Sequence, residues 1–327
     1  MPFSKPINRR KFLSQSAAMA ATSALPLGTF AQHNAPKGEL IKRYIPGTDE
    51  ALPVVGSGAP DIFFNYREEG GKELSQQVLQ AMIDMGGRLC DTPAPGGSKP
   101  NVAPPVFGEM LNEMGGIQND LFLTTKISNP RSEPGRDAAV AEANWSLDYL
   151  GKDPIDLMLV HNMKDVENMY PVVKELKAEG RARYIGVSRT RTTDFSALKD
   201  FMKKERPDFV LLGYSAFQQE PADQDVMAIA QDLGIAMIGA EAFKAGEDGL
   251  FFSLVADVEL PEFATEIGIE SWAQYSLKWI LSDPAITSVI VETSKAHHIV
   301  DNMSAAYGEL PDQALRKKMS DFLLNLG

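Results

Sequence analysis

The sequence predicts an α/β fold, a (β/α)8 TIM barrel, and three observations carry that prediction. Eight short apolar or β-branched runs are spread along a chain of 327 residues. Longer amphipathic stretches alternate with them, the strand-then-helix order that right-handed crossovers close into a parallel barrel. Three of the runs also end on a titratable side chain, at Asp91, Lys126 and His161. That is the layout of a site at the C-terminal rim of such a barrel, where each strand contributes one group from its last residue.

In chain order the predicted strands cover 52–58, 88–91, 121–126, 155–161, 182–188, 209–214, 235–240 and 286–291. Leu52-Pro53-Val54-Val55 opens the first and Leu89-Cys90 fills the second. Leu121-Phe122-Leu123 and Leu157-Met158-Leu159-Val160 form the third and fourth. The remaining four are short runs of the same apolar and β-branched kind, bounded by polar or turn-forming residues. Helical spacing of apolar residues falls between them at 72–85, 136–150, 172–178, 225–233, 269–281 and 297–306. No composition shift, low-complexity linker or charge block marks a second domain. A doubly wound open sheet is the alternative, but no Gly-rich dinucleotide fingerprint follows any strand, and Gly56-Ser57-Gly58 is too short a match.

Residues 1–31 read as a segment apart from the fold. Asn8-Arg9-Arg10-Lys11-Phe12-Leu13, the Ala-rich stretch that follows, Pro26 and the small-residue site at Thr29-Phe30-Ala31 resemble a twin-arginine export signal. The apolar part is too short and polar to anchor the chain permanently in a bilayer. Export through the twin-arginine machinery implies a periplasmic or secreted protein, with residues 32–327 forming the barrel. Removing 1–31 takes away Lys5, Arg9, Arg10 and Lys11 and no acid, so the formal charge of −12 becomes −16. A nucleic-acid partner is disfavoured because phosphate binding needs a basic footprint. The single cysteine, Cys90, excludes a disulfide framework and reads as a small core residue.

Lys126 beside Asp91 would be kept cationic and could polarise a carbonyl or stabilise an enolate. His161, titrating near neutrality, could act as acid or base on the same carbon framework. The bland alternative is a residual ion pair and a satisfied barrel-mouth histidine. A metal site has little support, since His161 lacks partners at ligand spacing. Tyr214, at a strand end, is the best remaining aromatic hydroxyl near the rim and either supports the fold or touches substrate. The stretch from Glu241 to Glu262 is long enough for a lid, with Glu241 a candidate substrate contact. His297-His298 reads as a cap or surface pair at a helix start.

Several motifs, in their order and spacing, resemble the aldo/keto reductase family: Leu52-Pro53-Val54-Val55-Gly56-Ser57-Gly58, Asp91-Thr92, Thr125-Lys126, Ser146-Leu147-Asp148-Tyr149-Leu150 before Asp156-Leu157 and His161, Gly186-Val187-Ser188, Trp279-Ile280-Leu281-Ser282-Asp283-Pro284, Ser288-Val289-Ile290-Val291 and Asp301-Asn302. The resemblance implies an NADPH-dependent oxidoreductase with an Asp–Tyr–Lys–His tetrad. Asp91, Lys126 and His161 match three positions, and the Tyr position falls on Gly96. The cofactor contacts implied are Ser188, Arg189, Thr293, Ser294, His298 and Asn302. Of the polar clamp on the nicotinamide amide, only Ser188 is kept, Arg189 and Leu211 being departures. The stacking aromatic falls near Ala240, and Glu292 stands where a Gly or a cation is usual.

A carboxylate about 4 Å from a phosphate charge costs roughly 4 kcal/mol at an effective dielectric of 20, before screening. Losing a positioned general acid costs about 10²- to 10⁴-fold in rate. The expectation is therefore an oxidoreductase acting on a small carbonyl or sugar-like substrate, with an incomplete tetrad and a weakened or absent NADP site. The alternatives are a cofactor-independent lyase or isomerase using Asp91, Lys126 and His161, which would begin with proton abstraction beside a carbonyl, and a non-catalytic small-ligand binder.

Overall fold

A computed structural model of the chain describes residues 36, 38–58, 66–94, 103–128, 135–190, 192–245 and 251–326. The chain divides into a segment Met1–Pro36 and a unit Lys37–Gly327. The expected export signal lies outside the described residues, as does Gly96.

The unit opens with an antiparallel hairpin, β1 (Lys42–Tyr44) and β2 (Ala51–Pro53). Eight parallel strands follow: β3 (Val55–Gly58), β4 (Leu89–Asp91), β5 (Phe122–Ile127), β6 (Ile155–Val160), β7 (Ala182–Arg189), β8 (Phe209–Gly213), β9 (Ala236–Ala240) and β10 (Ile286–Val291). They close in sequence order, β10 pairing with β3, so the predicted (β/α)8 TIM barrel is the fold. The run expected as one strand over 52–58 divides around Val54. Ala51–Pro53 pair in the hairpin, and the Val54 N–H continues that pairing by donating to the Ile41 carbonyl at 3.2 Å.

Alternation along each strand separates two cores. Leu89, Phe122, Leu157, Leu159, Phe209, Leu211, Ala236, Ile238 and Ile290 pack inside the barrel. Their strand neighbours Cys90, Leu123, Met158, Val160, Val210, Leu212, Met237 and Val289 pack outward under the helices. Ile45 and Leu52 join the interior cluster, so the hairpin seals the N-terminal end of the barrel and leaves function to the other end. At Gly186 on β7 a Cβ would stand 2.0 Å from the Phe209 carbonyl oxygen of β8, so only glycine lets these strands meet.

The larger helices are α1 (Gly71–Asp84), α2 (Ala103–Glu113), α3 (Arg136–Leu150), α4 (Val166–Ala178), α5 (Ser196–Glu205), α7 (Val226–Leu233), α10 (Trp272–Leu281), α11 (Ala296–Ser304) and α12 (Gln313–Leu324). Short turns α6 (Glu220–Asp223), α8 (Phe251–Leu254) and α9 (Glu262–Thr265) lie between them. α3 matches its predicted span because Ala139, Ala143, Leu147 and Leu150 form one buried stripe. Ser271 and Asp312 cap α10 and α12 by accepting the N–H groups of Gln274 and Leu315. The stretch expected as a lid contains α8 and α9, and 246–250 lie outside the described residues.

Candidate active site

Extending the inward alternation to the C-terminal end of each strand gives a ring of eight positions: Gly58, Asp91, Lys126, His161, Ser188, Gly213, Ala240 and Glu292. The register keeps them at one level. Gly58 pairs with Asp91 and Gly213 with Ala240, while Thr124 and Leu159 stand opposite Asp91 and Lys126. His161 directly follows Val160, the partner of Ile127. Asp91 and Lys126 thus lie at the ends of β4 and β5 on the barrel mouth, with His161 directly after β6.

Asp91 and Lys126 are 8% and 6% exposed, so their charges meet largely out of water. Lys126 Nζ donates to Asp91 Oδ1 and Oδ2, both at 2.6 Å, and to the Thr92 carbonyl at 2.9 Å. The Thr124 hydroxyl also donates to Asp91 Oδ1. An ammonium has three N–H donors, and these three acceptors occupy them. A ligand carbonyl must therefore displace Thr92 to bond Lys126 directly, or feel its charge across a gap.

His161 begins a tight turn, His161–Met163, rather than ending a strand. Asn162 lies in the left-handed region, φ 53° and ψ 28°, which asparagine tolerates better than most residues. Its Nδ2 stands 3.1 Å from His161 Nε2. Its Oδ1 accepts from the Thr190 N–H at 3.0 Å and from Thr190 Oγ1 at 3.1 Å. Its own N–H donates to Ser188 Oγ at 2.8 Å. Arg189 Nη1 reaches the Asn162 carbonyl at 3.5 Å. The sequence reading placed His161, Ser188 and Arg189 at the site but not the residue that ties them together. Its only sequence signal was a hydrogen-bonding asparagine directly after a candidate histidine.

This geometry has a family context. The model of the aldo/keto reductase family matches residues 63–318. The chain belongs to the aldo/keto reductase family. The uncharacterized oxidoreductase YtbE of Bacillus subtilis is 28% identical over 258 residues, covering 77% of this chain and 85% of that protein. The L-glyceraldehyde 3-phosphate reductase of Escherichia coli K12 is 20% identical, covering 82% and 88%. Among solved structures, a holo aldo-keto reductase from Bacillus halodurans superposes with a TM-score of 0.67 at 19% identity, covering 87% of this chain and 96% of that one. An aldo/keto reductase from Klebsiella pneumoniae, in complex with NADP and acetate, gives 0.67 at 22% identity, covering 85% and 94%.

In this aldo/keto reductase, five of the eight tyrosine hydroxyls are bonded to groups away from Lys126. Tyr66 donates to Glu113, Tyr184 to Glu50, Tyr275 to the Met319 carbonyl and Tyr307 to the Met85 carbonyl. Tyr44 lies on the hairpin, Tyr149 on α3 and Tyr170 on α4. Tyr214, a candidate substrate contact from sequence, faces away from the mouth. Phe209 and Leu211 point inward, so the parity of β8 turns Tyr214 outward and buries it fully. Its hydroxyl donates to Asp283 Oδ2 at 2.8 Å and accepts from Arg316 Nη2 at 2.6 Å, and its ring packs on Trp279. Burial and the Asp283 charge push the phenol well above its ordinary range.

Glu241 does lie at the mouth, at an unusual φ of 56°. Its Oε2 and Gln218 Oε1 stand 2.8 and 2.9 Å from where a Cβ on Gly213 would be. Among the described residues neither buried oxygen has a hydrogen-bond partner, although Lys244 Nζ lies 3.5 Å from Glu241 Oε2. After the neighbouring strand β10, Thr293 Oγ1 accepts from the Lys295 N–H at 3.2 Å and lies 3.4 Å from His298 Nδ1. Ser294 is exposed and Asn302 is buried on α11. His298 has its pKa lowered, first by partial burial and then by His297 and Lys295, which makes it a poor cation at neutral pH. Among the described residues, no three His, Cys, Asp or Glu side chains converge as metal ligands, and no helix is long and apolar enough to cross a membrane.

Proposed function

We propose that this aldo/keto reductase is an exported oxidoreductase acting on a small carbonyl or sugar-like substrate, with an incomplete catalytic tetrad and a low-affinity NADP(H) site. The observation that carries the proposal is the buried Asp91–Lys126 pair at the barrel mouth, one strand from His161. Thr293, Ser294, Lys295 and the start of α11 offer hydroxyls, one ammonium and helix N–H groups for phosphates, while Ser188 and Arg189 offer polar groups for an amide. That donor set fits a nicotinamide dinucleotide. Glu292 opposes it, with Oε1 3.4 Å from the position of a Cβ on Gly58.

When bound, the nicotinamide supplies hydride exchange with the substrate carbon. Asp91 orients Lys126, whose positive charge stabilises the oxygen where negative charge develops. His161, on the next strand end, can give a hydrogen bond or a proton to the same oxygen from Nε2 only where the Asn162 amide releases that nitrogen. The Tyr position is Gly96 and no tyrosine hydroxyl bonds Lys126, which supports a rate about 10²- to 10⁴-fold below that of a relative with a full tetrad. The Arg9-Arg10 segment and its Ala-rich continuation support export and a periplasmic or secreted location.

The test combines nucleotide titration by fluorescence with NADPH consumption across a panel of aldehydes, ketones and aldoses. Weak binding with slow consumption is expected. No binding of NADP(H) or NAD(H) at millimolar concentration, with no consumption, refutes the redox assignment. Exchange of a substrate α-hydrogen with deuterated water, lost in Lys126→Ala, would then favour the lyase or isomerase reading.

A further inference from the structure

Every hydrogen-bonding group of Asn162 is engaged, and the pattern has a direction. The Thr190 backbone N–H can only donate, so the Asn162 side-chain atom 3.0 Å from it must be the amide oxygen. The network therefore fixes the orientation of the amide. Its nitrogen then faces His161 Nε2 at 3.1 Å. An NH2 group has protons only to give, so Nε2 must accept. A neutral imidazole accepting at Nε2 carries its proton on Nδ1.

We propose that Asn162 is a positioning residue that holds His161 as the Nδ1–H tautomer with the Nε2 lone pair engaged. The backbone is bent to that purpose. Asn162 and Met163 both have positive φ, 53° and 54°, a conformation that non-glycine residues rarely adopt and that persists only where surrounding contacts enforce it. Here the contacts are Ser188 Oγ on the Asn162 N–H and Thr190 on its Oδ1. The same loop thus couples the strand carrying His161 to the end of β7, and orders Ser188 and Arg189 by the bonds that order the imidazole.

The consequence is a division of labour at the mouth. In this state His161 cannot donate from Nε2, since a proton there would face the two amide protons of Asn162. A ligand oxygen meets Lys126 as the nearest source of positive charge, and His161 gives from Nε2 only if the Asn162 amide yields. The inference rests on His161 belonging to the site proposed above, but its test reads the ring directly and needs no turnover.

Long-range ¹H–¹⁵N correlation spectra of the uniformly labelled protein report the tautomer of each of the four histidines, and His161 is identified by its absence in His161→Gln. The expected result at neutral pH is a pyrrole-type shift at Nδ1 and a pyridine-type shift at Nε2. Asn162→Asp keeps one oxygen toward Thr190 and presents the other to Nε2, which must then carry a proton, so Nε2 becomes pyrrole-type. Asn162→Gly retains the backbone angle and removes the amide, and should give averaged tautomer shifts. A protonated Nε2 in the parent protein, or an unchanged pattern in the glycine variant, overturns the proposal. If Asn162→Asp does not fold, the parent and glycine spectra still decide it.

Discussion

Removing Lys126 while leaving Asp91 in place is the perturbation whose cost the structure defines best. The ammonium lies 2.6 Å from both carboxylate oxygens, which at an effective dielectric of 20 corresponds to roughly 6 kcal/mol of gross attraction. Desolvation of the two buried charges cancels most of it, so the pair itself contributes little net stability. Lys126→Met breaks the balance by leaving Asp91, at 8% exposure, with the Thr124 hydroxyl as its one hydrogen-bond donor among the described residues. The expected cost is about 3–5 kcal/mol. Asp91→Asn combined with Lys126→Met removes both charges and should recover at least half of that loss. Urea unfolding of the parent, both single variants and the double variant, followed by fluorescence and circular dichroism with coincident transitions, measures the cycle. A Lys126→Met cost below about 1 kcal/mol, or a double variant less stable than Lys126→Met alone, would refute the claim that Lys126 neutralises a buried charge.

Stability should fall steeply in alkali. Burial raises the pKa of Tyr170, Tyr214 and Tyr275, with nearby carboxylates adding to the shift at the first two. A raised folded pKa gives stability that is complete below the unfolded value of about 10 and is lost as pH rises through it, at about 1.4 kcal/mol per pH unit per tyrosine. Lys278, lowered by burial to about 8 against an ordinary 10.5, acts in the opposite sense and offsets part of the fall up to that pH. Urea midpoints across the alkaline range check this, and midpoints that rise or stay level above about pH 10.5 contradict it. Gly186→Ala should prevent soluble folding, because its Cβ would overlap the Phe209 carbonyl at 2.0 Å. Gly47→Ala, with φ 75° and open space, should cost only about 1–2 kcal/mol by thermal melting. Glu292→Gln should tighten NADP binding about tenfold, a fraction of the unscreened repulsion because Glu292 is exposed, and unchanged affinity by calorimetry would remove Glu292 from the phosphate end.

Strand positions and the rim candidates were legible because both depend on short-range pattern. Leu89-Cys90-Asp91, Phe122 through Lys126 and Leu157 through Val160 carry apolar residues on both sides of a strand buried on both faces, with a polar terminus at the mouth. The same parity, counted from Phe209, turns Tyr214 outward, so its placement was within reach of the sequence once the inward residues of β8 were known. Helix α2 was not legible, since Pro105 and Gly108 argue locally against it. Gly108 is there because a Cβ would stand 1.7 Å from the Tyr149 carbonyl of α3, a contact between segments far apart in the chain.

Periodicity in the amino-acid order was thus sufficient to determine a parallel α/β barrel and to put an acid, an amine and an imidazole at the ends of three consecutive strands. Tertiary structure alone decided what those groups face. The bonds from Asn162 to Ser188 and Thr190 span 26 and 28 residues, and those that fill the Lys126 donors join one strand to its neighbour. Local pattern records which face a residue occupies, whereas hydrogen-bond direction and charge compensation depend on partners that only chain closure brings within 3 Å or so.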